Sequence, residues 1–303
     1  MAELAELDFQ APSTLAEALG LLASAGPGGT EREAAPVRPL AGGSDLIVQM
    51  RSGRIHPARI VDLKRIPELI GISRTPEGWR IAAATPCAAI GEHTGLRADW
   101  PGVVEAACLI GSAQVQGRAS LGGNLCNASP AADSVPALIA AAAVCEIGSG
   151  SARRELPVEQ LPLGPGRNAL APGELLLALR LPARAPRSGD AYLRLIPRSE
   201  MDIAVVGAGV DLRLDERGRI VAARVALGAV APTALLVPAA AEALLGSILD
   251  DQALQRLQAA ASAACRPIDD KRGTAAYRTR VACVLAQRAA KIAHERACAG
   301  APQ

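Results

Sequence analysis

Hydrophobic and polar positions divide the chain into blocks. Thr14 followed by Glu17 predicts a capping box that opens a helix through Leu22. Gly26 to Gly29 reads as a loop, and Val37 to Leu40 as a short strand running into Ala41-Gly42-Gly43-Ser44-Asp45. Arg59 to Leu63 and Trp79 to Ala84 read as further strands, and Pro101 to Ala107 as a helix. Ser112 to Asp133 is rich in Gly, Asn and Ser and lacks helical periodicity, which predicts a long shaped loop. Val135 to Ala143 is an apolar stretch with Pro136 suited to a first helical turn. Pro182 to Gly189 has linker composition. Beyond it, Ala204 to Leu214 and Ile220 to Ala229 alternate as strands around a Glu216-Arg217-Gly218 turn. Gln252 to Ala264 is helical until Pro267 stops it, and Val281, Leu285, Arg288 and Ile292 recur at helical spacing in a last helix.

Composition narrows the function. Half of the 303 residues are hydrophobic, enough for a sizeable core, but there is one Phe, so Ala, Leu and Val must pack it tightly. A net charge of +2 with few aromatics argues against nucleic acid, which needs clustered cations and stacking platforms. The acidic N-terminus does not read as a secretory signal, and the longest apolar run, Val135 to Val144, is too short to span a bilayer. A cytoplasmic location without a transmembrane segment is therefore expected. The cysteines at 87, 108, 126, 145, 265, 283 and 298 are too scattered to ligate an iron–sulfur cluster, and read as small buried hydrophobes. His56, His93 and His294 form no metal spacing, so no metal site is expected here.

A Gly-x-Gly-x-x-Ala match at Gly164, Gly166 and Ala169 contains Pro165 and lacks the flanking strand and helix of a dinucleotide fold, so it reads as a loop. Two other segments carry more. Leu40-Ala41-Gly42-Gly43-Ser44-Asp45-Leu46 and Ser120-Leu121-Gly122-Gly123-Asn124, running on to Asp133, each place a glycine pair before a small polar side chain. Paired glycines let backbone N–H groups approach a phosphate, and Ser44 and Asn124 add donors without bulk. Two such turns facing one another would fit a diphosphate cofactor. Read singly, each is also an ordinary tight turn. Gly123 is expected to need backbone angles closed to other residues.

These segments resemble the FAD-binding subunits of the xanthine dehydrogenase and carbon monoxide dehydrogenase family of molybdenum hydroxylases. Ser120-Leu121-Gly122-Gly123-Asn124-Leu125-Cys126-Asn127-Ala128-Ser129-Pro130-Ala131-Ala132-Asp133 is the specific match. Val61-Asp62-Leu63 with Ile66-Pro67-Glu68-Leu69, Pro172-Gly173-Glu174-Leu175-Leu176, Arg198 with Asp202-Ile203-Ala204, and Tyr277-Arg278 extend it nearly end to end. One departure stands out: Val115-Gln116-Gly117 replaces the family's frequent Ile-Arg-Asn.

The resemblance implies an α+β chain: a vanillyl-alcohol-oxidase-like (PCMH-type) FAD domain over residues 1–182, with subdomains of about 1–58 and 59–182. A linker at 183–190, a C-terminal domain of antiparallel sheet and helices over 191–298 and a tail at 299–303 would follow. By position, Leu40, Ala41, Gly42, Gly43, Ser44, Asp45 and Leu46 would form one strip of FAD contacts, and Ser120, Gly122, Gly123, Asn124 and Asn127 a second. Val115 and Ala119 would line the approach, Asp133 would anchor the cofactor, and Arg194 would lie near the flavin. No catalytic acid or base is implied. A small subunit with [2Fe-2S] clusters and a large subunit with the molybdenum cofactor are the implied partners, in a dimer of heterotrimers. The long loop would face the iron–sulfur partner, and the side near Arg194 and Arg198 would open to the acceptor. A free-standing flavin oxidase of the same fold, or a FAD-less scaffold relative, are the alternatives.

Overall fold

A computed structural model describes residues 7–23 and 37–300, so the loop expected at Gly26–Gly29 lies outside it. The first lobe contains strands β1 (Asp8–Gln10), β2 (Val37–Leu40) and β3 (Arg59–Asp62), parallel and in the order β1-β3-β2, with helices α1 (Leu15–Ala23) and α2 (Leu46–Arg51). The capping box is present: Thr14 Oγ1 accepts from the Glu17 N–H at 3.3 Å, and Glu17 Oε2 from the Thr14 N–H at 3.2 Å. Helix α1 buries Ala18, Leu19 and Leu22 among Val61, Leu63, Ile66 and Leu69. Because β3 is the centre of this sheet, the division expected after residue 58 cuts through a continuous hydrogen-bonded layer.

The second lobe is a five-stranded antiparallel sheet, β4-β5-β10-β6-β7, formed by β4 (Ile72–Thr75), β5 (Gly78–Ala82), β6 (Val144–Ser149), β7 (Ala152–Pro157) and β10 (Leu175–Pro182). Its middle strand, β10, is buried on both faces, as its unbroken apolar run requires. A hairpin of β8 (Pro162–Gly164) and β9 (Arg167–Asn168) lies outside the sheet. Six short helices fill the span between β5 and β6: α3 (Cys87–Glu92), α4 (Thr94–Asp99), α5 (Pro101–Cys108), α6 (Ala113–Gln116), α7 (Leu121–Cys126) and α8 (Ser134–Ala140).

The C-terminal domain is an antiparallel sheet of β11 (Ser188–Leu195), β12 (Val206–Leu214), β13 (Ile220–Gly228) and β14 (Leu235–Leu236), with α9 (Pro238–Glu242), α10 (Asp251–Ala264) and α11 (Ala275–Ala299). Asp215 and Gly218, at φ +74°, make the β12–β13 turn; Asp215 Oδ1 accepts from the Arg217 and Arg219 N–H groups. Asp250 and Thr274 cap α10 and α11. Among the described residues no helix is long and apolar enough to cross a membrane.

Helix α8 joins the domains, and all seven of its residues are buried. One side meets the second lobe's core. The other meets β12 and β13, where Gly209 and Gly228 leave room for Pro136. Arg224 Nε donates to the Ile139 carbonyl at 3.0 Å, and the Ala229 N–H to the Pro130 carbonyl at 2.7 Å. The linker expected at 183–190 is partly structured: β11 begins at Ser188, and Arg184 is held under the Trp100 ring.

A Cβ at Gly209 would lie 2.5 Å from the Pro136 carbonyl oxygen, whereas a Cβ at Gly218 would meet open space. Gly209→Ala is expected to destabilise the chain by ~2–3 kcal/mol through overpacking of a rigid backbone contact. Gly218→Ala should cost only ~1 kcal/mol, the strain of a left-handed residue. Denaturant unfolding of both variants checks the ordering.

Candidate functional site

The two glycine segments meet. A Cβ at Gly42 would overlap the Arg118 carbonyl and lie 2.8 Å from the Ala119 nitrogen, so the first segment's main chain rests on the second's. Gly43, at φ +77°, turns the chain from β2 into α2. Leu40 is buried beneath this turn, while Ser44 and Asp45 are exposed on it and Leu46 starts the helix. Lys64 Nζ steadies the turn from behind, donating to the Ala41 carbonyl at 3.3 Å while paired with Asp62 at 2.6 Å.

The stretch from Ser112 to Asp133, which includes the second segment, is not the continuous loop its composition predicted; it contains helices α6 and α7. Ser120 caps α7, its Oγ accepting from the Gly123 N–H at 3.0 Å. The two glycines face opposite ways. Gly122 is buried, and a Cβ there would come 2.8 Å from Ala83 Cβ. Gly123 has only Ser120 Oγ and, at 3.8 Å, Ala41 Cβ beside its missing side chain. It has no positive φ, which corrects the expectation of restricted backbone angles; what Gly123 provides is space.

The amides tie neighbouring elements together. Asn124 Oδ1 accepts from Ser134 Oγ at 2.7 Å, fixing the start of α8. Asn127 Oδ1 accepts from Gln49 Nε2 at 2.8 Å, linking the segment to α2. The Gly164–Ala169 stretch, read as a loop, lies in the β8–β9 hairpin with no helix after it, and it braces the second segment. Asn168 Nδ2 donates to the Cys126 carbonyl at 2.7 Å, and the Gly166 N–H to the Ala128 carbonyl at 3.1 Å. Burial pushes the Cys126 thiol up to about 12, so it is not a thiolate nucleophile.

Asp133 and Arg194 also come together, across the domain boundary. Arg194 Nη1 donates to Asp133 Oδ2 at 2.6 Å, and the Tyr192 hydroxyl lies 3.3 Å from Oδ1. Burial raises the Asp133 carboxyl to about 6, and the charge of Arg194 and the Tyr192 hydrogen bond only partly oppose it. The Arg194 side chain is 6% exposed, so the expectation that it opens toward an acceptor is corrected; Arg198, 68% exposed, does face solvent. Val115 is half-buried beside Gly111, and Ala119 is buried. At the departure from the family pattern, Gln116 Nε2 donates to the Cys108 carbonyl at 2.6 Å and closes the end of α5.

Lys64, Gln49, Asn168 and Tyr192 were absent from the residues picked out by motif. Only Tyr192 carried a local signal: it precedes Arg194 by one strand repeat and so shares its face. Ala41, Gly42, Gly43, Gly123, Asn124 and Asn127, on the two segments, are half-exposed. With no large side chain among them, an extended polar ligand can approach the main chain of both segments at once.

The comparisons with known proteins agree with this architecture. The family described as "FAD binding domain in molybdopterin dehydrogenase" matches residues 5–184, and "CO dehydrogenase flavoprotein C-terminal domain" matches residues 191–293. The chain belongs to the FAD-binding subunits of the molybdenum hydroxylase family, and its class is that of an oxidoreductase subunit. It is 34% identical to the carbon monoxide dehydrogenase medium chain of Afipia carboxidovorans, over 96% of this chain and 97% of that one. It is 30% identical to the putative xanthine dehydrogenase FAD-binding subunit of Escherichia coli, over 82% of each. In structure it is similar to a chain of reconstituted CO dehydrogenase from Oligotropha carboxidovorans, with TM-score 0.89, 33% identity and coverage of 96% and 98%. A chain of quinoline 2-oxidoreductase from Pseudomonas putida 86 gives TM-score 0.85 at 26% identity, with the same coverage.

Removing one member of the Asp133–Arg194 pair strands the other charge in a buried site. Asp133→Ala is expected to destabilise the chain by ~3–5 kcal/mol, and Asp133→Leu combined with Arg194→Met should recover most of that loss. Urea unfolding of the single and double variants reads the difference.

Proposed function

We propose that the chain holds FAD in the groove between the two glycine segments and relays electrons from iron–sulfur clusters on a partner to an external acceptor. The observation that supports this reading is the main-chain contact of Gly42 on Arg118 and Ala119, which brings the two segments together. Ala41, Gly42, Gly43 and Ser44 would bind from one side, and Ser120, Gly123, Asn124 and Asn127 from the other. Leu40, Asp45 and Leu46 shape the first turn, and Gly122, Ala119 and Val115 shape the second. The Asp133–Arg194 pair would anchor the cofactor's surroundings at the domain boundary.

Bound FAD supplies redox chemistry that can exchange electrons singly or in pairs. The protein's own work is to bind, to orient and to exclude water from the buried pair; no side chain needs to act as acid or base. The relatives are chains of molybdenum hydroxylases, which supports a small iron–sulfur subunit and a large molybdenum-cofactor subunit as partners. The scattered cysteines agree, since cluster ligation needs several grouped thiolates.

Gly123→Val should abolish FAD binding, because the new side chain fills the space opposite Ala41. Gly166→Ala should leave binding within about twofold, since its Cβ meets nothing and the strain of its left-handed backbone is ~1 kcal/mol. Equal loss in a flavin-fluorescence titration would place the cofactor elsewhere. Acid precipitation should release all the flavin.

The partner arm is read by flavin absorbance. Substrate should reduce the flavin only when both partner subunits are present. Rapid reduction of the isolated chain by an organic substrate would favour a free-standing oxidase.

A further inference from the structure

Away from the groove, the domain boundary holds a second cluster of charges. Asp190 on β11 and Asp211 on β12 are directly opposed across the antiparallel pair. Side chains at opposed positions share a face, and two like charges there repel. One guanidinium lies against both: Arg184 Nη2 is 3.3 Å from Asp190 Oδ1 and Nη1 is 2.7 Å from Asp211 Oδ1. Arg184 comes from the segment between the domains and sits 4.1 Å from the centre of the Trp100 ring, so an aromatic face closes the other side. The Asp190 side chain is 4% exposed and the Arg184 side chain 12%.

Other cations act on the pair from further off: Arg296 on Asp190, and Arg213 and Arg224 on Asp211. Arg296 on α11 donates to the Asp190 carbonyl oxygen at 2.7 Å, but its guanidinium is paired with Glu105 of α5, which adds a third carboxylate. Arg213 and Arg224 lie in the field of Asp211, and Arg224 is committed to Glu159 at 3.1 Å. A backbone wall stands behind Asp190, where a Cβ on Gly102 would come 2.6 Å from Oδ2.

We propose that Asp190 and Asp211 hold one proton between them against Arg184, making this joint a pH-sensitive latch between the two domains. The direction of titration agrees. Burial raises Asp190 to about 7 and Asp211 to about 6, in each case against the pull of Arg184. A carboxyl raised in the folded state stabilises the fold fully below its unfolded value, and that stability is lost as pH rises through the folded one. The latch is therefore closed in mild acid and strained above neutrality. Strand β11 carries the effect onward: Asp190, Tyr192 and Arg194 share one face, and the last two meet Asp133, nine residues after Asn124 of the second glycine segment. Losing the shared proton should loosen β11 and speed cofactor release, a consequence that rests on the FAD reading.

The test uses the purified, flavin-loaded chain. Thermal unfolding followed by circular dichroism should show the wild-type Tm falling from about pH 5 to about pH 8. Asp190→Asn and Asp211→Asn should each raise Tm at the upper pH and flatten the profile. Asp133 also titrates upward, so the slope left in each variant reads its share. A wild-type Tm that rises with pH, or variants that lose stability at the upper pH, would mean two ordinary ion pairs and overturn the latch. If one variant does not fold, the profile of the other compared with wild type still decides. Flavin release should be several-fold faster at the upper pH in wild type, with the difference reduced in Asp190→Asn. Unchanged release beside a shifted Tm would overturn the coupling while leaving the FAD reading intact.

Discussion

Close approach of one main chain to another, with glycine as the only residue that fits, is the constraint on which the structure depends. With few aromatic side chains the chain cannot fill wide gaps, so its layers must come close. Gly42 on Arg118, Gly122 on Ala83, Gly102 on Ala191 and Gly209 on Pro136 are four such contacts. They join, in turn, the first lobe to the second, helix α7 to its sheet, α5 to β11, and α8 to β12. The two glycine segments meet at the first of these, and the last two seat the C-terminal domain on the second lobe.

Around this frame, polar groups hold the two glycine segments in place. Gly43, Gly123 and the exposed turn at Ser44 leave main chain accessible. Asn168 and Lys64 donate to main-chain carbonyls, and the half-exposed Asn124 and Asn127 accept from Ser134 and Gln49, so all four keep the segments in place. The segment around α7 is held from α2, from α8 and from the β8–β9 hairpin, so a short helix without much propensity of its own is kept in one position. Stability of that kind comes from tertiary contacts, which is why helical periodicity was absent where helix formed.

What the sequence revealed follows from the range of each signal. The capping box at Thr14, the hairpin around Gly218 and the long C-terminal helix are local devices, and each appears as expected. Strand β10 was missed because an uninterrupted apolar run has no period, and β11 because its first residues have the composition of a linker. The glycine segments were legible as motifs, but not the direction each glycine faces; Gly122 and Gly123 are neighbours in sequence and opposite in role. Arg194 was expected in the open and is buried, because its partner lies on another domain, 61 residues away in sequence. The bracing residues were invisible for the same reason: their partners are main-chain atoms far along the chain.

The glycine joints also limit how such a protein can change over generations. At Arg184 or Arg194 a substitution can be answered by a second one at the partnering carboxylate, so the two positions can drift as a pair. At Gly42 the opposing atoms are the main chain of Arg118 and Ala119, which every amino acid shares, and no replacement there makes room. The charged clusters are thus open to compensated change, whereas the main-chain contacts at glycine have no second-site remedy and should hold their identity longest.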